Sequence, residues 1–365
     1  MSIYDTIFLL KKTEKKGKLT KKKLEEYEQK IISLNNPEFS FLFARNIKMA
    51  NKDLHANVVI NSGSARYNYK FAREIKCSNI KAHSDAVIKS KDIFYNYSFA
   101  KYIKNSDVNV LAHGNVIIES NNVKYNYLFA KEVFESDILA HENVIIESGN
   151  VEYNYKFARD VKGADIKKLG KVIYDSNDIF YNYYFAKDVK GSNLLLHESV
   201  IIKSLSPEYN YIFARDINGA DIISHGNVVI KSNNLKYNYL FARDIDGADV
   251  KAHGNVIIKS ENLEYNYKFA EDVKNADIKA HGDVIIKSLS PEYNYFFARY
   301  INGADIISHG NSVIKSKNLL YNYHFAKDII GANINEHKKV IIESKDETYK
   351  YWFENNIEKI SKKNK

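Results

Sequence analysis

The apolar positions of the chain fall into a two-part phrase that keeps returning. One part reads Tyr209-Asn210-Tyr211-Ile212-Phe213-Ala214-Arg215-Asp216-Ile217; the other, after a short polar break, has the form Ile-x-x-His-x-x-Val-Ile-Ile-x-Ser, as in Ile278 to Ser288. The triplet Tyr-Asn-Tyr begins at Tyr67, Tyr95, Tyr125, Tyr153, Tyr181, Tyr209, Tyr237, Tyr265, Tyr293 and Tyr321, with degenerate copies at Phe39 and Tyr349. Every step is 28 residues except one of 30, between Tyr95 and Tyr125. A period of that size marks a repeat array, so the length is no guide to the number of domains.

The first part predicts a helix, here helix A, with its first tyrosine numbered as position 0. Three residues earlier stands a residue that accepts hydrogen bonds from a helix start: Asn36, Ser64, Asp92, Asn122, Asn150, Asp178, Ser206, Asn234, Asn262, Ser290, Asn318 or Asp346. All three prolines, Pro37, Pro207 and Pro291, come one residue later, where a missing N–H is harmless. Positions 0, 4 and 8 are expected to share one stripe. Position 5 is Ala in eleven of twelve copies and Glu354 in the last, which has no successor to pack against. Helix A is expected to stop at the glycines Gly163, Gly191, Gly219, Gly247, Gly303 and Gly331, or at Asn105 and Asn275, residues that tolerate a left-handed conformation.

A second set of caps, Asn51, Asn79, Asp107, Asp137, Asp165, Asn193, Asp221, Asp249, Asp277, Asp305 and Asn333, opens the second part. Its apolar sites 1, 4 and 8 share a helical face, which predicts helix B. The Gly after the His in several copies supports a competing reading, a turn followed by a buried strand, which gives an α/β horseshoe of leucine-rich type. The same site holds Ala56, Ser84, Glu142, Glu198 and Lys338 in other copies, residues that a turn with positive φ would resist. The helical reading is therefore preferred.

The expected fold is all-α: a right-handed α/α superhelical solenoid of about twelve 28-residue two-helix repeats. Residues 1–35 are read as an N-terminal helical cap with a basic run, 36–348 as the array, and 349–365 as a half-repeat cap with a basic tail. Over residues 36–360 the chain resembles α-solenoid proteins of the HEAT and tetratricopeptide kind, on the strength of two capped helices per unit. It departs from them in its shorter unit and in lacking either family's signature residues, so no residue roles carry over. The resemblance implies an elongated surface presented to a partner.

Within the repeat, position 3 of helix A is variable where its neighbours are uniform. It runs through Leu128, Lys156, Tyr184, Ile212, Leu240, Lys268, Phe296 and His324, and these form the candidate partner-binding face. Position 6 is Lys or Arg in ten copies, and Arg159, Lys187, Arg215, Arg243 and Arg299 form a candidate anion-contacting row. Acidic residues at position 7 predict ion pairs between units instead. Ten of eleven histidines occupy one helix B site, with Leu169 in the remaining unit. A partly buried packing role is expected there, with acid unfolding near pH 5–6 as the consequence. The repeated Asn is expected to bond a neighbouring unit.

Charge and composition refine this picture. Residues 1–33 carry +4, residues 349–365 carry +3, and the 315 residues between them only +2 of the net +9. The body is nearly neutral, which weakens a nucleic-acid reading. Lys11 to Lys23 is a basic run opposed by Glu14 alone. The lone cysteine, Cys77, excludes an intrachain disulfide framework. No nucleotide-binding, metalloprotease, hydrolase or kinase signature occurs, and no cofactor or metal is expected. The expectation is a non-enzymatic, intracellular (cytoplasmic) scaffold without a membrane span that binds a protein or peptide. The alternative is a nonspecific nucleic-acid binder using the Lys/Arg row and the basic termini.

Overall fold

The computed structural model describes residues 2–76 and 79–363, with side chains as far as residue 356; Cys77 and the end of the basic tail, 364–365, lie outside the described residues. These residues form 25 α-helices and no strand, so the chain is an all-helical repeat of the α-solenoid type and the horseshoe reading falls. The chain divides into two compact units, Met1–Tyr181 with Asp188–Asn193, and Asn182–Lys187 with Leu194–Lys365. Each contains the same recurring pair of short helices.

Helix A begins where the caps predict. Asn234 Oδ1 accepts the Tyr237 N–H at 3.2 Å, and all three prolines sit at the first helical position. Its end comes earlier than expected. In Val151–Asp160 the C-cap is Val161, an extended residue whose N–H still reaches the Phe157 carbonyl and whose side chain is buried. Gly163, with φ +91°, then turns the chain in the connection rather than closing the helix. The β-branched residue at position 8 anchors this break, because burying it from an extended backbone suits its low helix preference. The buried face also differs from the 0, 4, 8 stripe. Asn238, Tyr239, Phe241 and Ala242 are buried, whereas Tyr237 at position 0 is only half-buried.

Helix B starts at the expected cap in most units, as where Asp277 Oδ1 accepts the Ala280 N–H at 3.0 Å. In the 30-residue unit the cap is Asn109 instead of Asp107, because the two extra residues lie in the connection and the cap travels with the helix it opens. The His-Gly pair lies inside helix B, as in Val250–Lys259. A Cβ on Gly254 would stand 3.3 Å from Phe269 Cε1 and 3.4 Å from His281 Nε2. This Gly therefore permits close packing, not a turn. Helix B closes on its serine: Ser232 Oγ donates to the Val229 carbonyl at 2.6 Å and accepts the Asn234 N–H at 3.1 Å. The residue between adopts a left-handed conformation, whether Asn233 (φ 54°), Gly149 (φ 63°) or Leu205 (φ 56°).

At the N-terminus, α1 (Ile3–Lys15) packs on α3 (Pro37–Asn46), and α2 (Lys21–Ser33) packs on α3 and α4 (Lys52–Asn61). The first two helices thus take the places of helix A and helix B against the first repeat. Leu24 and Ile31 enter its core, with Tyr27 packed against it. In the last copy Glu354 is exposed, at the position where the other copies carry alanine.

Candidate functional site

A buried clip of Asn, His and Phe recurs from unit to unit. The amide nitrogen of Asn266 donates to the Ile257 carbonyl of the preceding helix B (3.1 Å) and to the Asn262 carbonyl at its own helix start (2.8 Å). Its oxygen is thereby aimed at His281 Nδ1, 2.7 Å away in the following helix B. That oxygen only accepts, so the ring carries its proton on Nδ1. Phe269 lies against the same ring, centroids 4.7 Å apart. The ten histidines at this site, His55, His83, His113, His141, His197, His225, His253, His281, His309 and His337, are at most 1% exposed. Burial pushes each ring down to a pKa of about 4. The histidines are therefore neutral structural groups. Among the described residues no three His, Cys, Asp or Glu side chains are grouped to hold a metal ion.

The exceptions obey the same geometry. Where Leu169 replaces the histidine, Asn154 Oδ1 is left buried without a partner. At His113, His141, His225, His253, His281, His309 and His337 the ring's Nε2 faces the residue after the histidine of the preceding unit. Ser84 Oγ donates to His113 Nε2 at 2.9 Å, and the Glu198 carboxyl, its pKa raised by burial, stands 3.3 Å from His225 Nε2, to which it donates only when protonated. Where that residue is glycine, Nε2 has no hydrogen-bond partner, as in His253, His281, His309 and His337. Glu142 and Glu198 also accept the N–H of the next helix B cap, from Asp165 and Asp221, both at 2.6 Å.

A second network joins successive helices A. The second tyrosine of the triplet donates to the acid of the next unit and accepts from its own unit's cation. Tyr211 Oη reaches Asp244 Oδ2 at 2.6 Å, and Tyr183 Oη reaches Asp216 Oδ2 at 2.5 Å while receiving Lys187 Nζ at 2.9 Å. The predicted ion pairs between units are present, such as Lys131–Asp160 at 2.9 Å and Lys187–Asp216 at 2.8 Å. The Arg159 guanidinium beside Asp160 holds that carboxyl well below the usual carboxylate range, and Arg215 does the same to Asp216. The candidate anion-contacting row is thus fully engaged: Arg159, Arg215 and Arg243 bind their neighbouring Asp at 2.6–2.7 Å, Lys187 binds Asp216, and Arg299 binds Tyr295 and Asp328. Where position 7 is Tyr300, the preceding unit substitutes Glu271 for the cation, and Tyr267 Oη donates to it at 2.8 Å.

The position 3 row is half-buried rather than open. Leu128, Ile212, Leu240 and Phe296 pack onto the core clusters of their units. Lys156 and Lys268 bind Glu152 and Glu264, both at 2.5 Å, and His324 Nδ1 stands 3.3 Å from Asp328. The ring of Tyr184 lies 5.0 Å from that of Tyr183. The most exposed recurring aliphatic groups are elsewhere, at the second residue of helix B: Leu111 and Leu139 at 57%, Leu195 and Ile223 at 75%, and Ile307 at 71%. Sequence reasoning passed over this site because its other occupants, such as Lys167, Lys251 and Lys279, look like ordinary surface. The alternation of Leu or Ile with Lys at one fixed position was the available signal. No protein-family model, curated protein or solved structure matches the chain. No described helix is long and apolar enough to cross a membrane.

Proposed function

We propose that the chain is a non-enzymatic scaffold that binds protein or peptide partners along its repeats. The observation that carries this reading is the set of aliphatic side chains at the second residue of helix B, exposed by 57–75% in five units. The scaffold has no need of them, since Lys167, Lys251 and Lys279 fill the same site. Exposed apolar groups repeated at one place cost solubility unless a partner covers them. The variable row Leu128, Lys156, Tyr184, Ile212, Leu240, Lys268, Phe296 and His324 is the second candidate face, half-buried and suited to shaping specificity.

A photo-crosslinking amino acid placed singly at Ile223, at Leu240 and at the exposed control Lys231 tests this in the native source. The scaffold reading expects discrete partner adducts at Ile223, at Leu240 or at both, and few at Lys231. Equal, diffuse labelling at all three overturns it. The nucleic-acid alternative is less well supported, because its Lys/Arg row is already spent on tyrosines and carboxylates. It expects binding to DNA or RNA that weakens steeply with salt. Absence of binding at low salt ends it.

A further inference from the structure

The position 6 cations of the repeats are paired with acids or tyrosines, whereas Lys12 and Lys15 of α1 are not. Four acids around α1 have structural tasks, the first being Glu38, which accepts the Tyr4 hydroxyl at 3.2 Å. Asp5 closes a capping box with Ser2. Glu14 accepts the N–H groups of Lys48 and Met49 at 3.1 and 2.8 Å. Glu28, buried in α2, accepts the Asn51 N–H at 2.5 Å. The side chains of Lys12 and Lys15 are exposed and, among the described residues, make no ion pair or hydrogen bond.

These lysines border a groove of about 530 Å³ between α1 and α3. Between most later helices A a tyrosine–cation–acid network spans the corresponding seam, as at Tyr183, Lys187 and Asp216. Here α1 supplies no such tyrosine, and position 7 of α3 is Asn46, which receives Lys11 Nζ at 2.6 Å. The groove stays open, and it is divided along its length. Tyr4, Ile7, Phe8 and Leu42 line one part, with Tyr4 53% and Phe8 65% exposed; Lys11, Lys12 and Lys15 line the other.

We infer that the α1–α3 groove is a docking site for a short acidic peptide with an aromatic or aliphatic anchor. The anchor occupies the apolar part, and the carboxylates meet Lys12 and Lys15. From Tyr4 to Lys15 the helix rises about 16 Å, the reach of roughly five extended residues. A nucleic-acid strand carries phosphates evenly along its length and would waste the half that has no cation. A lipid surface is flat and leaves a concave groove unfilled. The site is separate from the faces proposed above, so either can fail alone.

Selection of a random peptide display library on the full chain, followed by fluorescence polarisation with the most enriched peptide, tests the inference. Enriched sequences should pair acidic with aromatic or aliphatic residues. Lys12→Glu with Lys15→Glu should weaken binding at least about tenfold and Phe8→Ala about threefold or more. All three side chains are exposed, so the helical circular dichroism of these variants should match the parent. Failure to enrich peptides, enrichment of sequences without acids, or affinity indifferent to these substitutions overturns the inference. So does a lysine-dependent affinity for single-stranded RNA or phosphatidylserine vesicles that exceeds that for the peptide.

Discussion

At the scale of single residues, the exceptions within the repeat act as mutations already made. Ser84 shows how a hydroxyl satisfies the histidine Nε2 of the next unit, at 2.9 Å. Gly254 leaves His281 Nε2 without that bond. Gly254→Ser should therefore raise stability by about 1 kcal/mol, from the new hydrogen bond and better helix propensity, offset in part by the close Phe269 contact. Leu169→His should likewise give the orphaned Asn154 Oδ1 its donor and stabilise by about 1 kcal/mol. Leu205 holds φ at 56° while 68% exposed. Leu205→Gly should relieve that left-handed strain and add about 1 kcal/mol. Chemical denaturation of each variant checks these signs, and a loss of stability in all three would contradict the assigned geometry.

At the scale of the element, the repeat period and its caps made both helices legible. What escaped was where helix A ends, since glycine at Gly163 looked like a helix stop while buried Val161 had already broken the helix. The sequence points to Asp107 where the cap is Asn109, because a two-residue insertion has no sequence marker of which segment lengthens. The asparagine's bond across units could be foreseen from its repetition in a position where it is a poor helix former. The second tyrosine's part could not, because pairing its hydroxyl with an acid about 33 residues on depends on how helices A stack. The half-burial of Leu240 and the openness of Ile223 likewise follow from packing, not from residue type. A double-mutant cycle on Tyr211→Phe and Asp244→Asn measures the joint between two helices A. A coupling of about 1 kcal/mol is expected; additivity would show that the 2.6 Å contact does not hold them together.

At the scale of the whole molecule, one clip repeated many times makes stability depend on one kind of proton. Each ring has a folded pKa of about 4 against an ordinary 6.5, so the unfolded chain binds more protons between those values. The stability contributed by neutral burial is complete above pH 6.5 and is lost as the pH falls toward 4. The groups near the rings are few: Lys52 and Glu28 at His55, Glu198 at His225, and cap aspartates such as Asp249 and Asp277. The surface aspartates Asp160 and Asp216 are held well below their usual range and stay ionised through this window. By pH 5.5 each ring forfeits on the order of 1 kcal/mol, and ten such losses together rival the whole stability of a typical domain. The decisive measurement is far-ultraviolet circular dichroism of the full chain from pH 8 to pH 4. Helical signal that holds to about pH 6 and is lost steeply between pH 6 and 5 is the predicted result. Helix that persists unchanged at pH 4.5 would mean that the histidines are not buried, neutral members of the clip.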